Sequence, residues 1–202
     1  MHSIRLLLAD AHVLAGREAE SLPLLPPNRR REAAAFCSDD ARLLCCAAGL
    51  LLRRVLGVTR DEDLAIGPLG KPALTRGGAA FSLSHAGHYA ALAVSGQTVG
   101  VDVEPIRPPA AFPRKVFTGA ELDWLSSHPG PEEFCLLWTR LESALKAEGC
   151  GLAGARRAFS LLEPGAPWHW ESVRYDGHWI TCAARSPAEL RFTVLSAADL
   201  LR

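Results

Sequence analysis

The sequence has no excess of either charge: Lys plus Arg and Asp plus Glu each number 22, so the formal net charge of the 202-residue chain is zero. Bulk binding to a nucleic-acid backbone requires a basic surface, so that class of function is disfavoured. A local basic patch is nevertheless present in Arg29, Arg30 and Arg31, with Arg42, Arg53 and Arg54 soon after. The six cysteines, Cys37, Cys45, Cys46, Cys135, Cys150 and Cys182, contain no C-x-x-C pair and have no histidine near them at zinc-site spacing. They read instead as small buried hydrophobes in a reducing compartment. Long apolar runs are also missing. The N-terminal one is broken by Asp10, and Leu43 to Leu52 is far short of the roughly 20 residues of a membrane span. There is no low-complexity tract and no internal repeat. The expectation is a soluble, cytoplasmic protein with no nucleic-acid partner and no membrane partner.

What the chain does have is a composition that is 49% hydrophobic and 22% charged, enough to fill a core in one large domain or two tightly packed halves. Residues 3–9 read as a buried strand and 29–56 as one helical stretch, with Gly57 as its stop. Leu64 to Ile66, Phe81 to Ser84, Tyr89 to Ser95 and Val99 to Glu104 read as strands. Pro105, Pro108 and Pro109 then interrupt the pattern and suggest a boundary between halves 1–104 and 105–202. Beyond it, Thr118 to Glu121 has capping-box form, a helix is predicted over 131–148, and strands over 158–162, 168–174, 178–185 and 190–195. The class is α+β with mostly antiparallel strands.

Three segments could carry chemistry. In Val99-Gly100-Val101-Asp102-Val103-Glu104, strand alternation puts the valines on one face and both carboxylates on the other, about 6–7 Å apart. Two carboxylates so close repel unless a cation lies between them, and oxygen ligands with open positions suit Mg²⁺; a solvated strand face is the plainer reading. In the predicted helix, Phe134, Trp138, Leu141 and Leu145 form an apolar stripe, while Glu142 and Lys146 stand one turn apart. They could be a third ligand or general base and a phosphate contact, or simply a surface ion pair. Gly70-Lys71-Pro72 offers a rigid loop with a positive charge, and Ser84-His85 can donate hydrogen bonds to phosphate. No aspartate stands in register for a Ser-His-Asp hydrolase.

The string GKP, then F-x-x-S-H, then VGVDVE, then W-x-x-x-E-S-x-x-K resembles the 4'-phosphopantetheinyl transferase superfamily, in its larger class typified by the enzyme that activates surfactin synthetase. The resemblance runs from the Arg29 region to Lys146 and implies two similar α+β halves about a pseudo-twofold axis, with coenzyme A and metal in the cleft between them. It further implies that Gly70, Lys71 and Pro72 line the adenine pocket and that Ser84 and His85 contact coenzyme A phosphates. Asp102, Glu104 and Glu142 would hold Mg²⁺, Lys146 would meet the pyrophosphate, and Glu142 would take the proton of a carrier-protein serine. Arg29 is the implied contact of the 3'-phosphate, with Arg30 or Arg31 as alternates. The expected partners are coenzyme A and an acyl, polyketide or peptidyl carrier protein, the expected state is a monomer, and Arg114, Lys115, Val116 and Phe117 are a candidate docking surface.

The chain departs from the family pattern in three places. Leu141 stands where the family has a lysine before the glutamate, and Arg140, one position earlier, points about 100° away on a helix. Ser82 and Ala86 replace family residues around Ser84-His85. Arg42 is out of register with the arginine of the early helix. Restoring the family residue by Leu141→Lys is expected to keep or raise the rate. The competing readings are a non-catalytic coenzyme A-binding protein derived from the family and a metal-dependent phosphohydrolase.

Overall fold

A computed structural model describes residues 2–152, 159–163 and 167–202. The chain opens with strand β1 (His2–Asp10) and the short helices α1 (Glu18–Ser21) and α2 (Pro27–Ala35), followed by the long helix α3 (Asp39–Leu56). Strands β2 (Leu64–Ile66) and β3 (Pro72–Leu74) pair as a small ribbon. They lead into β4 (Ala80–Ala86), β5 (Tyr89–Ser95) and β6 (Val99–Pro105). Helices α4 (Gly119–Ser127) and α5 (Pro131–Glu148), strands β7 (His169–Tyr175), β8 (His178–Ala184) and β9 (Ala188–Leu195), and helix α6 (Ala197–Leu201) complete the order.

Two sheets lie face to face. One has the order β4-β5-β1-β9 and the other β6-β8-β7. Strand alternation explains why β1 is buried on both sides. Ile4, Leu6 and Leu8 point between the sheets, where they meet Val99, Val101, Val103, Ile180 and Cys182. Leu7 and Ala9 point the other way, into a core with Ala47, Leu50 and Leu51 of α3. On the outer face of the second sheet, α5 packs against β6 and β8. Each layer is therefore a sheet backed by one helix of 18 residues. The mixed α+β class matches the expectation.

The sheets do not divide at 104/105. β6 precedes that point but pairs with β8, while β9 returns to pair in parallel with β1. The expected helix over 29–56 is two helices, because Phe36 is extended and Ser38 caps α3 by accepting a hydrogen bond from the Ala41 N–H. Phe36, in the link between the two helices, is 39% exposed. Residues 159–162 of the expected strand 158–162 are irregular, and residue 158 lies outside the described residues. Gly57 (φ 64°) and Gly149 (φ 75°) end α3 and α5 in the left-handed conformation, where glycine costs least. Four of the six cysteines are buried as expected, whereas Cys37 is exposed and Cys150 partly so; all are free. No helix among the described residues is long and apolar enough to cross a membrane.

Candidate active site

The site begins at the close approach of β6 to α5. Val99, Val101 and Val103 fill the space between the sheets, so the intervening Gly100 and Asp102 face the helix. A side chain at Gly100 would place its Cβ 1.8 Å from the Ser143 carbonyl oxygen, which is why only hydrogen is tolerated there. That contact brings α5 down onto the strand and sets Lys146 against Asp102. Lys146 Nζ lies 2.5 Å from Asp102 Oδ1 and 2.7 Å from Ser84 Oγ, and Ser84 donates to Asp102 Oδ1 at 2.9 Å.

Asp102 is 2% exposed, and its second oxygen, Oδ2, has no hydrogen-bond partner. A buried carboxylate oxygen without a partner is costly and needs an explanation. Burial pushes the Asp102 pKa up, opposed by Lys146 and Ser84. Burial and then the neighbouring Asp102 charge raise Glu104 to about 7, with Lys146, Trp138 and Arg107 acting against them. Glu142 is raised by the same two causes, again opposed by Lys146. Glu104 and Glu142 thus each lie in the field of Asp102, and all three carboxylates are disfavoured as anions. The donor set is all oxygen and suits a hard cation such as Mg²⁺. The three are not drawn into one tight cluster: among the described residues, the group of His, Cys, Asp and Glu whose ligand atoms all lie within 4.8 Å of one another is Asp10, His12 and His88.

These shifts have a consequence for stability. Glu104 binds its proton up to about pH 7 in the folded protein but releases it near 4.5 when unfolded, so the native state holds more protons across that window. Its contribution to stability is therefore lost as pH rises through the window. The melting temperature of the protein in chelator should fall between about pH 4.5 and 7, more steeply than that of Glu104→Gln. Equal slopes for the two proteins would remove Glu104 as the cause.

Two cavities are lined by members of this cluster. One, of about 280 Å³, is lined by Gly70, Lys71, Pro72, Phe81, Glu142 and Lys146 among others. The other, of about 400 Å³, is lined by Glu104, the proline-rich stretch 105–113, Phe134, Cys135 and Trp138. Glu142 thus faces one cavity and Glu104 the other, with Asp102 between them along the strand-helix contact. The second cavity carried no signal in the sequence beyond its prolines, because its wall is made only when β6 and α5 come together.

The residues singled out in the sequence have distinct places. Gly70 to Pro72 line the first cavity, but the Lys71 ammonium donates to the main-chain carbonyls of Ala147 (2.6 Å) and Val99 (3.3 Å). Burial lowers its pKa. The charge thereby joins the loop to α5 and β6, and its stem packs where Gly149 has no side chain. His85 is exposed, and its pKa is lowered first by desolvation and then by the positive charges of Lys146 and Arg29. Lys146 and Arg29 therefore both act on His85. Of the three arginines in a row, Arg30 donates to the carbonyls of Pro23 and Leu25 and Arg31 to Asn28. Arg29 is instead paired with the exposed Glu32 at 3.0 Å. Arg42 is paired with Asp39.

Ser82 and Arg140 have structural partners: Ser82 Oγ accepts the Val101 N–H at 3.1 Å and so links β4 to β6, and Arg140 donates to the Leu161 carbonyl at 2.8 Å and lies over the Trp170 ring. The candidate docking surface is corrected at one position. Arg114 and Lys115 are exposed, but Phe117 is 7% exposed and packs with Phe112 and Phe134.

Leu141 also changes meaning. It is 1% exposed within a core of Phe117, Leu125, Leu137, Leu145 and Leu161. Lysine there would bury an ammonium in an apolar core, a cost of about 3–5 kcal/mol. The expectation from sequence is reversed: Leu141→Lys should lower stability in urea unfolding by that order and lower the yield of active protein. A variant as stable and active as the parent would show that the lysine reaches the carboxylates instead.

Comparison with known proteins bears out the resemblance drawn from the motifs. Residues 98–184 match the sequence model of a family described as the 4'-phosphopantetheinyl transferase superfamily. That segment holds Asp102, Glu104, Glu142 and Lys146, while Gly70 to Pro72 and Ser84-His85 precede it. The 4'-phosphopantetheinyl transferase ffp of Bacillus subtilis is 34% identical over 85 residues, covering 40% of this chain and 38% of that protein. The 4'-phosphopantetheinyl transferase psf-1 of Bacillus pumilus is 31% identical over 112 residues, covering 52% of this chain and 46% of that protein. The matched stretch spans less than half the length of either relative.

Proposed function

We propose that this chain transfers the 4'-phosphopantetheine arm of coenzyme A to a serine of an acyl, polyketide or peptidyl carrier protein, releasing 3',5'-ADP, with Mg²⁺ bound by Asp102, Glu104 and Glu142. The observation that carries this reading is the buried Asp102, whose Oδ2 is without a partner while Oδ1 holds Lys146 and Ser84. Bound Mg²⁺ would supply charge neutralisation at the pyrophosphate.

The protein's own residues then have separable tasks. Lys146 and Ser84 hold Asp102 at one oxygen, and the other oxygen would be the one to hold the cation. Arg29 and Lys146 supply positive charge around the neutral His85 ring, a setting suited to the phosphates of coenzyme A, and Gly70 to Pro72 present a flat wall for its adenine. Glu142, raised in pKa by burial, is suited to accept the proton of the attacking hydroxyl. The cleft beside Glu104, lined by Pro105 to Pro113 and Trp138, has room for the transferred arm and the incoming serine. With the phosphates fixed and the serine positioned, most of the rate is attributed to orientation and electrostatics. We read the two sheet-and-helix layers as the two similar halves implied by the resemblance, and the protein as a monomer acting in the cytoplasm.

The test is intact-protein mass spectrometry of apo carrier proteins incubated with this protein, coenzyme A and Mg²⁺. A gain of one phosphopantetheine arm that requires Mg²⁺ would establish the reaction. A second reading, a coenzyme A-binding protein without transfer, is favoured by Leu141 in place of the family's lysine. It predicts saturable coenzyme A binding by calorimetry with no mass gain on any carrier.

A further inference from the structure

Away from the carboxylates, three chain segments meet at one end of the first sheet. β1 and β5 run antiparallel with Asp10 opposite Tyr89, and the Ala11 N–H donates to the His88 carbonyl at 2.8 Å. Asp10 then caps the short turn that follows β1 by accepting the His12 N–H at 2.8 Å. The rings of His12 and His88 stack, 9° apart in plane and 4.7 Å between centroids, so the exposed His12 ring turns for both to meet one ion. Asp10, His12 and His88 each offer a ligand atom, and these atoms all lie within 4.8 Å of one another.

The surroundings add a second observation. Metal-binding histidines commonly turn their other ring nitrogen to a carboxylate. Here Asp40 stands 3.8 Å from His12 Nε2, and Asp176 stands 3.8 Å from His88 Nε2. Asp176 is itself held by the Tyr89 hydroxyl at 2.8 Å, and it has positive φ (41°) in the Asp-Gly turn between β7 and β8. Beside them, His178 is 5% exposed, its Nε2 lacks a partner, and its ring stands edge-on to His88 at 5.5 Å. Two imidazoles and a carboxylate, with carboxylates behind the imidazoles, form a donor set of different character from the all-oxygen one at Asp102.

We propose that Asp10, His12 and His88 form a site for one divalent transition-metal ion of the Zn²⁺ class, sharing no residue with the carboxylate set. Imidazole nitrogen favours such ions over Mg²⁺, and three protein ligands leave a position for water. The ion joins the exit of β1 to the turn between β4 and β5, three residues beyond His85. Bound there, it stabilises the folded chain by mass action.

The test is a Co²⁺ titration of the full chain followed by visible absorption, in excess Mg²⁺ to occupy hard-cation sites, with Zn²⁺ as competitor. One equivalent of Co²⁺ displaced by Zn²⁺ is expected. His12→Gln and His88→Gln should each weaken binding by about tenfold or more, judged against the tenfold to hundredfold loss seen when only a supporting partner is removed. His12 is the safer change, since its side chain is 54% exposed. Asp176→Asn, which alters a supporting carboxylate only, should weaken binding less. Absence of saturable binding would overturn the proposal. So would binding unchanged in both histidine variants but lost in Asp102→Asn, because the ion would then sit at the carboxylates.

Discussion

Replacing Asp102 by asparagine is expected to lower carrier modification by about a thousandfold, on the scale of removing a key charge-stabilising group from an active site. The fold should survive. Asparagine matches the shape, can still accept from Ser84, and removes a charge that burial penalises. The melting temperature in chelator should therefore stay level or rise, while the gain in melting temperature on adding Mg²⁺ should shrink. This opposition of stability and activity separates a functional carboxylate from a structural one. Single-turnover mass spectrometry with equal loads of folded protein measures the first quantity, and thermal unfolding the second. Activity within tenfold of the parent would remove Asp102 from the metal site. Loss of both activity and stability would make its pair with Lys146 structural.

Gly100→Val is expected to have the largest effect on the fold. The added atoms meet the Ser143 carbonyl and the Ala147 N–H (Cβ contacts of 1.8 and 2.5 Å), which are main-chain atoms of α5 and cannot move aside as a side chain would. The helix must lift from β6, exposing the core between them and separating Lys146 from Asp102. Overpacking of a tight core costs about 3 kcal/mol or more, which for a chain of this size lowers Tm by roughly 10 °C. Gly96→Ala, where a Cβ meets nothing within 4 Å, is the control and should change stability by less than about 0.5 kcal/mol. If Gly100→Val matched the control, the close approach of strand and helix would not be what positions the site.

Much of the candidate site was legible because its residues lie on regular elements with fixed periods. Alternation along β6 placed the three valines inside and Asp102 with Glu104 outside, and the helical period placed Glu142 one turn from Lys146. The Thr118 capping box and the full extent of α5 were legible for the same reason, since caps and apolar stripes are local signals. Where the sequence misled, the deciding interaction was not local. The break between α2 and α3 depends on a short extended link whose only local sign is the Ser38 cap.

By itself, the sequence determined the motifs, the alternation of faces and the resemblance they carry, because each depends on neighbours within a turn of helix or two residues of strand. Only the tertiary structure decided which charges are available. Lys71 and Arg30 read as cations but are directed at main-chain carbonyls, whereas Arg29 pairs with Glu32 and also acts on His85. Leu141 reads as a missing lysine but is core, and His12, His88 and Asp176 come together from three distant segments. The physical reason is common to all of these. Charge pairing, burial and ligand geometry depend on distances across the fold, and the pairing of β9 with β1 and of β8 with β6 sets those distances.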